Sequence, residues 1–346
     1  MLNRMMKHHL MWPLTVLIAL LLFNLINKPG FFAIRIQGGH LYGSLIDILT
    51  FGSPLILVSI GMTLVIATKG IDLSVGSIVA IAGAIGCLMI SKAADQNTAG
   101  ALITAIVAAL GLCLVLGLWN GLLVAGVGMQ PIIATLILMV AGRGIAQLIT
   151  DGRILTINSN TYKYLGAGWL FGFPFSIFIV VFVFLIALVL TRRTALGLFI
   201  ESIGCNPTAS RLAGIRSRIV LIAVYMFCGL CAGIAGLILS SNVSSADGNN
   251  AGLWFELDAI LAVVIGGTSL NGGRFYLTGT LIGALIIQTL TTTIYIFGVP
   301  PEITLVVKAF VVLAVCLIQS ASFRSKLVER WRKRSRVMKS EVNRRA

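Results

Sequence analysis

Stretches of about 20 residues that are almost wholly apolar recur along the chain, and about 20 such residues are what a helix needs to cross the ~30 Å hydrocarbon layer of a bilayer. They fall near 11–27, 46–68, 73–90, 101–126, 131–150, 173–190, 219–240, 252–267, 275–297 and 303–320. A soluble fold has nowhere to put them. Of the residues, 58% are hydrophobic and 11% charged, whereas soluble domains carry roughly a quarter charged residues and keep a solvated surface however large they grow. The solvent for this apolar area is lipid. The 37 glycines fit the same reading, because small residues let helices approach closely where no hydrophobic force drives them together. The expected fold class is therefore an all-α polytopic membrane protein of about ten transmembrane helices. The eighth span is short and contains Glu256 and Asp258, so it is expected to be broken or re-entrant.

The net charge of +15 first suggests a nucleic-acid partner, but the distribution argues otherwise. Ten of the 26 Lys and Arg lie after Phe323, and Arg192, Arg193, Arg211, Arg216 and Arg218 cluster in one loop. Basic clusters beside apolar runs mark cytoplasmic segments, and a nucleic-acid groove needs interleaved aromatics where the tail has only Trp331. Ten crossings with this bias put both termini inside. The layout is a cytoplasmic N-terminus (1–10), a membrane domain (11–320) with an inner loop at 191–218, and a basic tail (321–346) suited to anionic headgroups. The six cysteines sit mostly in apolar segments. Cys228 and Cys231 make a C-x-x-C without the four close ligands a zinc site requires. Arg4 and Lys7 before the first apolar run resemble a secretory leader, but no small-residue cleavage site follows Ile26, so a retained helix is expected.

An internal echo lays Gly70–Gly76 over Gly267–Gly273, matching Gly, Leu and Gly at the first, fourth and seventh positions. It suggests two pseudo-repeated bundles, each with a Gly-rich turn on the inner side, an organisation common in transporters. Catalytic patterns are missing: the sequence has no G-x-x-x-x-G-K-[ST], H-E-x-x-H or G-x-S-x-G, and its histidines (His8, His9, His40) lie outside the spans. Transport is the leading class. A gradient-driven carrier and an intramembrane enzyme acting on a lipid-linked sugar stand as the rivals, the first short of buried acids for a relay and the second of a catalytic constellation.

Charges inside a membrane cost roughly 2.5–3.5 kcal/mol, so each needs a reason. Asp72 is expected to cap a helix start, with a gate as the other reading. Glu256 and Asp258, two apart, point in different directions; one is expected to cap or pair with Arg274, the other to line an aqueous path. Arg143 either neutralises an acid or holds backbone carbonyls. Asn120 suits an interhelical hydrogen bond, and Asn271 completes the polar candidates for the pathway. In the inner loop, Gly197 and Gly204 bracket a short amphipathic piece, and Asn206 with Pro207 starts a second helix ending near Gly214. Such a compact element suits docking into a groove on another protein.

These residues also carry a resemblance. I-G-M-T-L-V-I-A-T-x-G-I-D-L-S-V-G at Ile60–Gly76, P-I-I-A-T-L at Pro131–Leu136, G-x-N-x-x-A at Gly204–Ala209 and A-V-V-I-G-G-T-S-L at Ala262–Leu270 resemble the permeases of ribose- and galactose-class ABC importers. Finer stretches at 43–49, 136–150 and 246–261 resemble permeases of galactofuranose importers. Lys69 departs from the pattern, standing where many relatives have a small residue. The resemblance implies a pore of two different permeases, a cytoplasmic ATP-binding subunit that holds ATP and Mg, a periplasmic sugar-binding protein, and no cofactor or metal in this chain. It also implies that the 191–218 loop couples to the ATPase, through Gly197, Glu201, Gly204, Asn206, Arg211 and Gly214.

Overall fold

The computed structural model describes residues 10–300 together with 303, 305–310, 312 and 313. Contacts divide the chain at Thr289/Leu290, and everything below concerns the part up to Thr289 unless stated. Helix α1 spans Met11–Asn27, and the short hairpin β1 (Arg35–Gln37) and β2 (His40–Tyr42) leads to α2, Ser44–Ala67. Helices α3 (Val75–Ser91) and α4 (Ala99–Gly121) follow, α4 running on as a π-helical turn over Leu122–Val127. Then come α5 (Pro131–Ile149), β3 (Ile154–Thr156), α6 (Asn160–Ala167), β4 (Trp169–Leu170), β5 (Phe173–Pro174) and α7 (Phe175–Arg192). Two short helices, α8 (Ala195–Cys205) and α9 (Pro207–Leu212), precede α10 (Ser217–Val243). The strand β6 (Ser245–Asp247), α11 (Phe255–Ile265) and α12 (Leu277–Ile296) complete the described elements.

Six of these helices are long and apolar enough to cross a bilayer, and Met11–Asn27 and Val75–Ser91 are shorter apolar helices. The eighth span is short, as expected: α11 has 11 residues, about 16 Å at 1.5 Å per residue, with Gly252–Trp254 before it in turn rather than helix. The expected tenth span, 303–320, lies largely outside the described residues. Beyond Leu290 the described part of the chain finishes α12 and carries helical residues between 303 and 313.

Helix α10 is the spine, packed on α2, α3 and α4. The approach is close because glycine faces backbone at each crossing. A side-chain carbon at Gly117 would come within 2.6 Å of the Tyr225 carbonyl, and one at Gly229 within 2.7 Å of the Cys113 carbonyl. Interhelical hydrogen bonds add specificity, Thr63 with Thr280 at 2.8 Å and Tyr162 with Ser240 at 2.6 Å. Such pairs average about 0.6 kcal/mol inside membranes. Helix α2 is buried along most of its length, from Gly52 to Ala67.

The bundle has two distinct ends. One gathers α8, α9, the C-terminal end of α2 and the 266–276 turn, where Gly273 N–H donates to the Ala67 carbonyl at 2.9 Å and Lys69 Nζ to the Cys205 carbonyl at 3.3 Å. The exposed Arg192, Arg193, Arg211, Arg216 and Arg218 lie here, making it the basic end. The other end is closed by small antiparallel pairs, β3 with β6 and β4 with β5. The 70–76 and 267–273 stretches, aligned in sequence, differ in backbone: the first runs into α3, while the second turns through positive φ at Gly267, Gly272 and Gly273 without starting a helix.

Candidate translocation and docking site

Between α2 and α3 the chain leaves helical geometry for residues 68–74. Lys69 adopts φ 65°, a left-handed conformation that costs a non-glycine residue about 1–2 kcal/mol and explains why a small residue suits that position. Asp72, fully buried, then organises the start of α3. Its Oδ1 accepts from Ser74 N–H at 3.0 Å and from Ser74 Oγ at 2.6 Å. Asn120, 48 residues on, joins through Nδ2, which donates to Ser74 Oγ at 2.8 Å and lies 3.5 Å from Asp72 Oδ1. The Cys228 thiol and Tyr225 phenol of α10 face the same carboxylate. Asp72 therefore both caps and cross-links. Its Oδ2, Asn120 Oδ1 and the Tyr225 hydroxyl are buried without a hydrogen-bond partner, which leaves acceptors and a donor here for a buried water to bridge.

A second break lies between α10 and α11. From β6 the chain descends into the bundle rather than running along its surface. Gly248 sits against Ala146 and Thr150 near the end of α5, and Gly252 (φ 66°) sits against Gly76 and Val79 in the first turns of α3. Bare backbone at membrane depth is tolerated only where protein satisfies it, and Arg143 does so. Its Nη1 donates to the Ala251 carbonyl at 2.7 Å and lies 3.4 Å from that of Gly248. A cavity of about 330 Å³ lies alongside, between α3, α10 and the descending loop. At the top of the loop Asp247 accepts from Asn249 N–H, Asn250 N–H and Asn250 Nδ2. Slight burial opposes its charge, but these bonds and the Arg143 guanidinium hold its carboxyl below the usual range.

Glu256 and Asp258 begin α11 and part company, as their spacing requires. Glu256 is 3% exposed. Its carboxylate packs against Gly76, and Arg143 is close enough to act on it, while Arg274 lies beyond the far end of α11. Asp258 is part-exposed on the other face. Asn271 is exposed in the turn at the basic end, its N–H held by Ser269 Oγ at 3.2 Å. Of the five polar candidates the fold thus unites Asp72 and Asn120, buries Glu256 beside α3, and leaves Asp258 and Asn271 apart. Ser74, Tyr225 and Gly252 belong to these sites too. The D-x-S spacing was a legible signal for Ser74, whereas nothing local marks Tyr225.

In the loop at the basic end, Gly197 and Gly204 do not bracket the first helix but lie inside α8. They are there for contact: a side-chain carbon at Gly204 would collide with the Ala67 carbonyl and Gly273 N, and one at Gly197 with the Thr191 carbonyl. Asn206 caps α9, its Oδ1 accepting from Thr208 N–H and Ala209 N–H, each at 3.1 Å, with Pro207 at the first helical position. Gly214 turns the chain at φ 85°. Glu201 is half-buried and Arg211 exposed. Leu198 is 65% exposed and Leu212 86%, so apolar tips stand among arginines on a helix pair whose first member packs against α2.

A many-pass helical bundle, broken twice at depth and carrying a basic helical loop at one end, is built as a membrane permease. A family described as "Branched-chain amino acid transport system / permease component" matches residues 44–316, and the chain belongs to that family, whose members are the permease subunits of ABC importers rather than enzymes in themselves. It is 50% identical over 325 residues to the galactofuranose transporter permease protein YtfT of Escherichia coli (strain K12), covering 92% of this chain and 93% of that one. It is 38% identical over 297 residues to the ribose import permease protein RbsC of the same strain, covering 85% and 88%. The fructose import permease protein FruF of Bifidobacterium longum (strain NCC 2705) is 37% identical over 339 residues, covering 96% and 94%. No solved structure matches the chain.

Proposed function

We propose that this chain is the membrane-spanning half of an ATP-driven sugar importer in a bacterial inner membrane, and that its sugar is galactofuranose. The observation that carries the reading is the 50% identity, over nearly the whole of both chains, to a galactofuranose transporter permease. The ribose and fructose permeases among its relatives support the wider substrate class, monosaccharides. This chain performs no covalent chemistry. A partner subunit binds ATP and Mg, a periplasmic binding protein delivers the sugar, and a second, different permease completes the pore. Both termini and the basic end face the cytoplasm, in keeping with the clustering of Arg and Lys there. The α8–α9 pair is the element that meets the ATPase: its apolar tips suit a groove, and its glycine-close contact with Ala67 and Gly273 passes movement to α2 and the 266–276 turn. Asp72 and Asn120 hold the break before α3 along the sugar's path.

The test is uptake of labelled galactofuranose, ribose and galactopyranose in cells lacking this chain, before and after its restoration. Loss and rescue of galactofuranose uptake is expected. Rescue of a different sugar keeps the importer and discards the galactofuranose assignment, and rescue of none discards both.

A further inference from the structure

Helices α11 and α12 carry matching small residues four apart, Ala262 and Gly266 at the end of the first, Gly279 and Gly283 at the start of the second. Residues four apart share a helix face, and small ones there let backbones touch. They do touch. A side-chain carbon at Gly279 would collide with the Gly266 carbonyl, one at Gly283 with the Ala262 carbonyl, and one at Gly266 with the backbone of Gly279. The connecting turn, 266–276, is closed on itself by Tyr276 N–H, which donates to Thr268 Oγ1 at 3.1 Å. With no side chain between them to give way, α11, this turn and the first turns of α12 make one stiff hairpin. Close-packed structure of this kind transmits displacement rather than absorbing it.

The tip of the hairpin is held at both ends of α8. At the exit of α8, Gly204 packs on Gly273 N, and Cys205 Sγ lies 2.9 Å from the place a side-chain carbon at Gly273 would take. At the entrance, Arg192 ends α7 three residues before α8 begins at Ala195. Its Nη2 donates to the Phe275 carbonyl at 3.2 Å, and its guanidinium lies 5.4 Å from the centre of the Phe275 ring. Phe275 is 1% exposed, so the guanidinium grips a residue fixed in the core. Arg192 is closely joined to α8 in turn, because Gly197 packs on the Thr191 carbonyl and Thr194 Oγ1 accepts from Leu196 N–H at 3.2 Å. One contact would let the turn pivot against α8. Two, at opposite ends of an 11-residue helix, fix its orientation as well as its position.

We propose that Arg192 is a positioning residue for coupling: it makes α8 and the 266–276 turn move as one body, so that displacement of α8–α9 by the ATPase is carried along the hairpin to the N-terminal end of α11. That end is about 16 Å away. There Trp254, in the left-handed region at φ 67°, turns the descending loop into the helix, and Glu256 and Gly252 press on Gly76 at the start of α3. Movement at the basic end thus arrives at the break before α3. The inference rests on the reading of α8–α9 as the element that meets the ATPase, and deepens it.

The test uses the assembled importer in proteoliposomes and reads labelled galactofuranose moved per ATP hydrolysed. Arg192→Ala is expected to lower that ratio about 3–10-fold, the value of a cation–π contact and a hydrogen bond at a part-exposed site, while the ATPase co-purifies as before. Arg192→Lys should recover part of the loss, because an ammonium still donates to the carbonyl and lies over the ring, though without the planar fork. Gly273→Cys places a thiol within disulfide reach of Cys205. Oxidation should leave its uptake at the level of the same sample in reductant, since the bond joins parts that already move together. Gly273 stands at φ 92°, so the Arg192 variants decide the matter if Gly273→Cys does not assemble. An unaltered ratio in Arg192→Ala would overturn the proposal. So would uptake that stops on oxidation of Gly273→Cys and returns in reductant, because α8 would then have to slide on the turn. Loss of the ATPase from Arg192→Ala complexes would overturn it too, by making Arg192 part of the docking surface. Leu212→Cys, with Cys205 replaced by Ser and a photoreactive maleimide attached, separates this failure from that of the docking reading. If it does not cross-link to the ATPase, the docking reading fails; if it does while Arg192→Ala couples normally, only this inference fails.

Discussion

Arg143→Met is the substitution on which the descending loop depends most. Methionine keeps the aliphatic stem that packs in the bundle and removes the guanidinium, so the change isolates the polar role. What is lost is one short charge-assisted hydrogen bond to Ala251, at 2.7 Å; the 3.4 Å approach to Gly248 is too long to add much. A hydrogen bond to a charged group contributes about 1.5–3 kcal/mol, but inside membranes the unfolded reference also finds partners and the largest measured pair is about 1.7. A destabilisation of about 1–3 kcal/mol follows, and it falls on the loop before it falls on the bundle. Local opening should rise by ~5–150-fold at ~1.4 kcal/mol per decade. Amide exchange across 249–254 should accelerate by that factor in protein held in lipid nanodiscs, while α10 exchanges as before. Glu256→Gln in the same background should recover part of the loss, because it removes the acid that Arg143 faces. Unchanged exchange in Arg143→Met, or acceleration spread evenly over the bundle, would refute the reasoning.

Other outcomes follow from the same contacts. Gly204→Val should leave basal ATP hydrolysis in the assembled importer but uncouple it from uptake, since the side chain collides with the Ala67 carbonyl and Gly273 N; overpacking of this kind costs about 1–3 kcal/mol, and coupled hydrolysis at the unaltered ratio would contradict it. Gly76→Ala should abolish uptake by displacing Glu256 and the Gly252 carbonyl, which lies 2.5 Å from the added carbon, whereas Gly100→Ala, with open space around it, should transport normally. Because the Asp247 carboxyl is held below its ordinary value, its bonds to Asn249 and Asn250 persist above about pH 4 and are lost as pH falls through its folded value. Loop proteolysis that rises on acidification of the unaltered chain but is constant in Asp247→Asn is the expected signature.

Much of this architecture is legible in the residues. Apolar run length gives the helices, because lipid leaves the backbone little alternative to helix. The D-x-S after Gly70 announces a capped helix start, and Asn206-Pro207 announces the start of α9. The short eighth run with its two acids signals a broken helix. What could not be read is what long-range contact decides. Arg143 meets the Ala251 carbonyl 108 residues away, so its partner was open between an acid and a backbone group, and it serves both. Gly197 and Gly204 look like helix boundaries, because glycine usually punctuates; they lie within α8 because other backbone comes too near for a side chain, that of Thr191 at the end of α7 for Gly197 and that of α2 and the 266–276 turn for Gly204. The strained Trp254 is silent in sequence, since a tryptophan between Leu253 and Phe255 reads as ordinary apolar helix. The Tyr225 phenol meets the Asp72 group only because the bend after α2 brings Gly70 beneath it.

The central claim is that this chain moves a sugar with energy supplied by ATP elsewhere. Proteoliposomes holding this permease, its partner permease and the ATPase, with binding protein and labelled galactofuranose on the receptor side, test it most directly. The account predicts concentrative uptake that needs hydrolysable ATP, stops when the Walker lysine of the ATPase is replaced, and is indifferent to a protonophore. Uptake that proceeds without ATP and collapses with the protonophore would contradict it and make the chain a gradient-driven carrier.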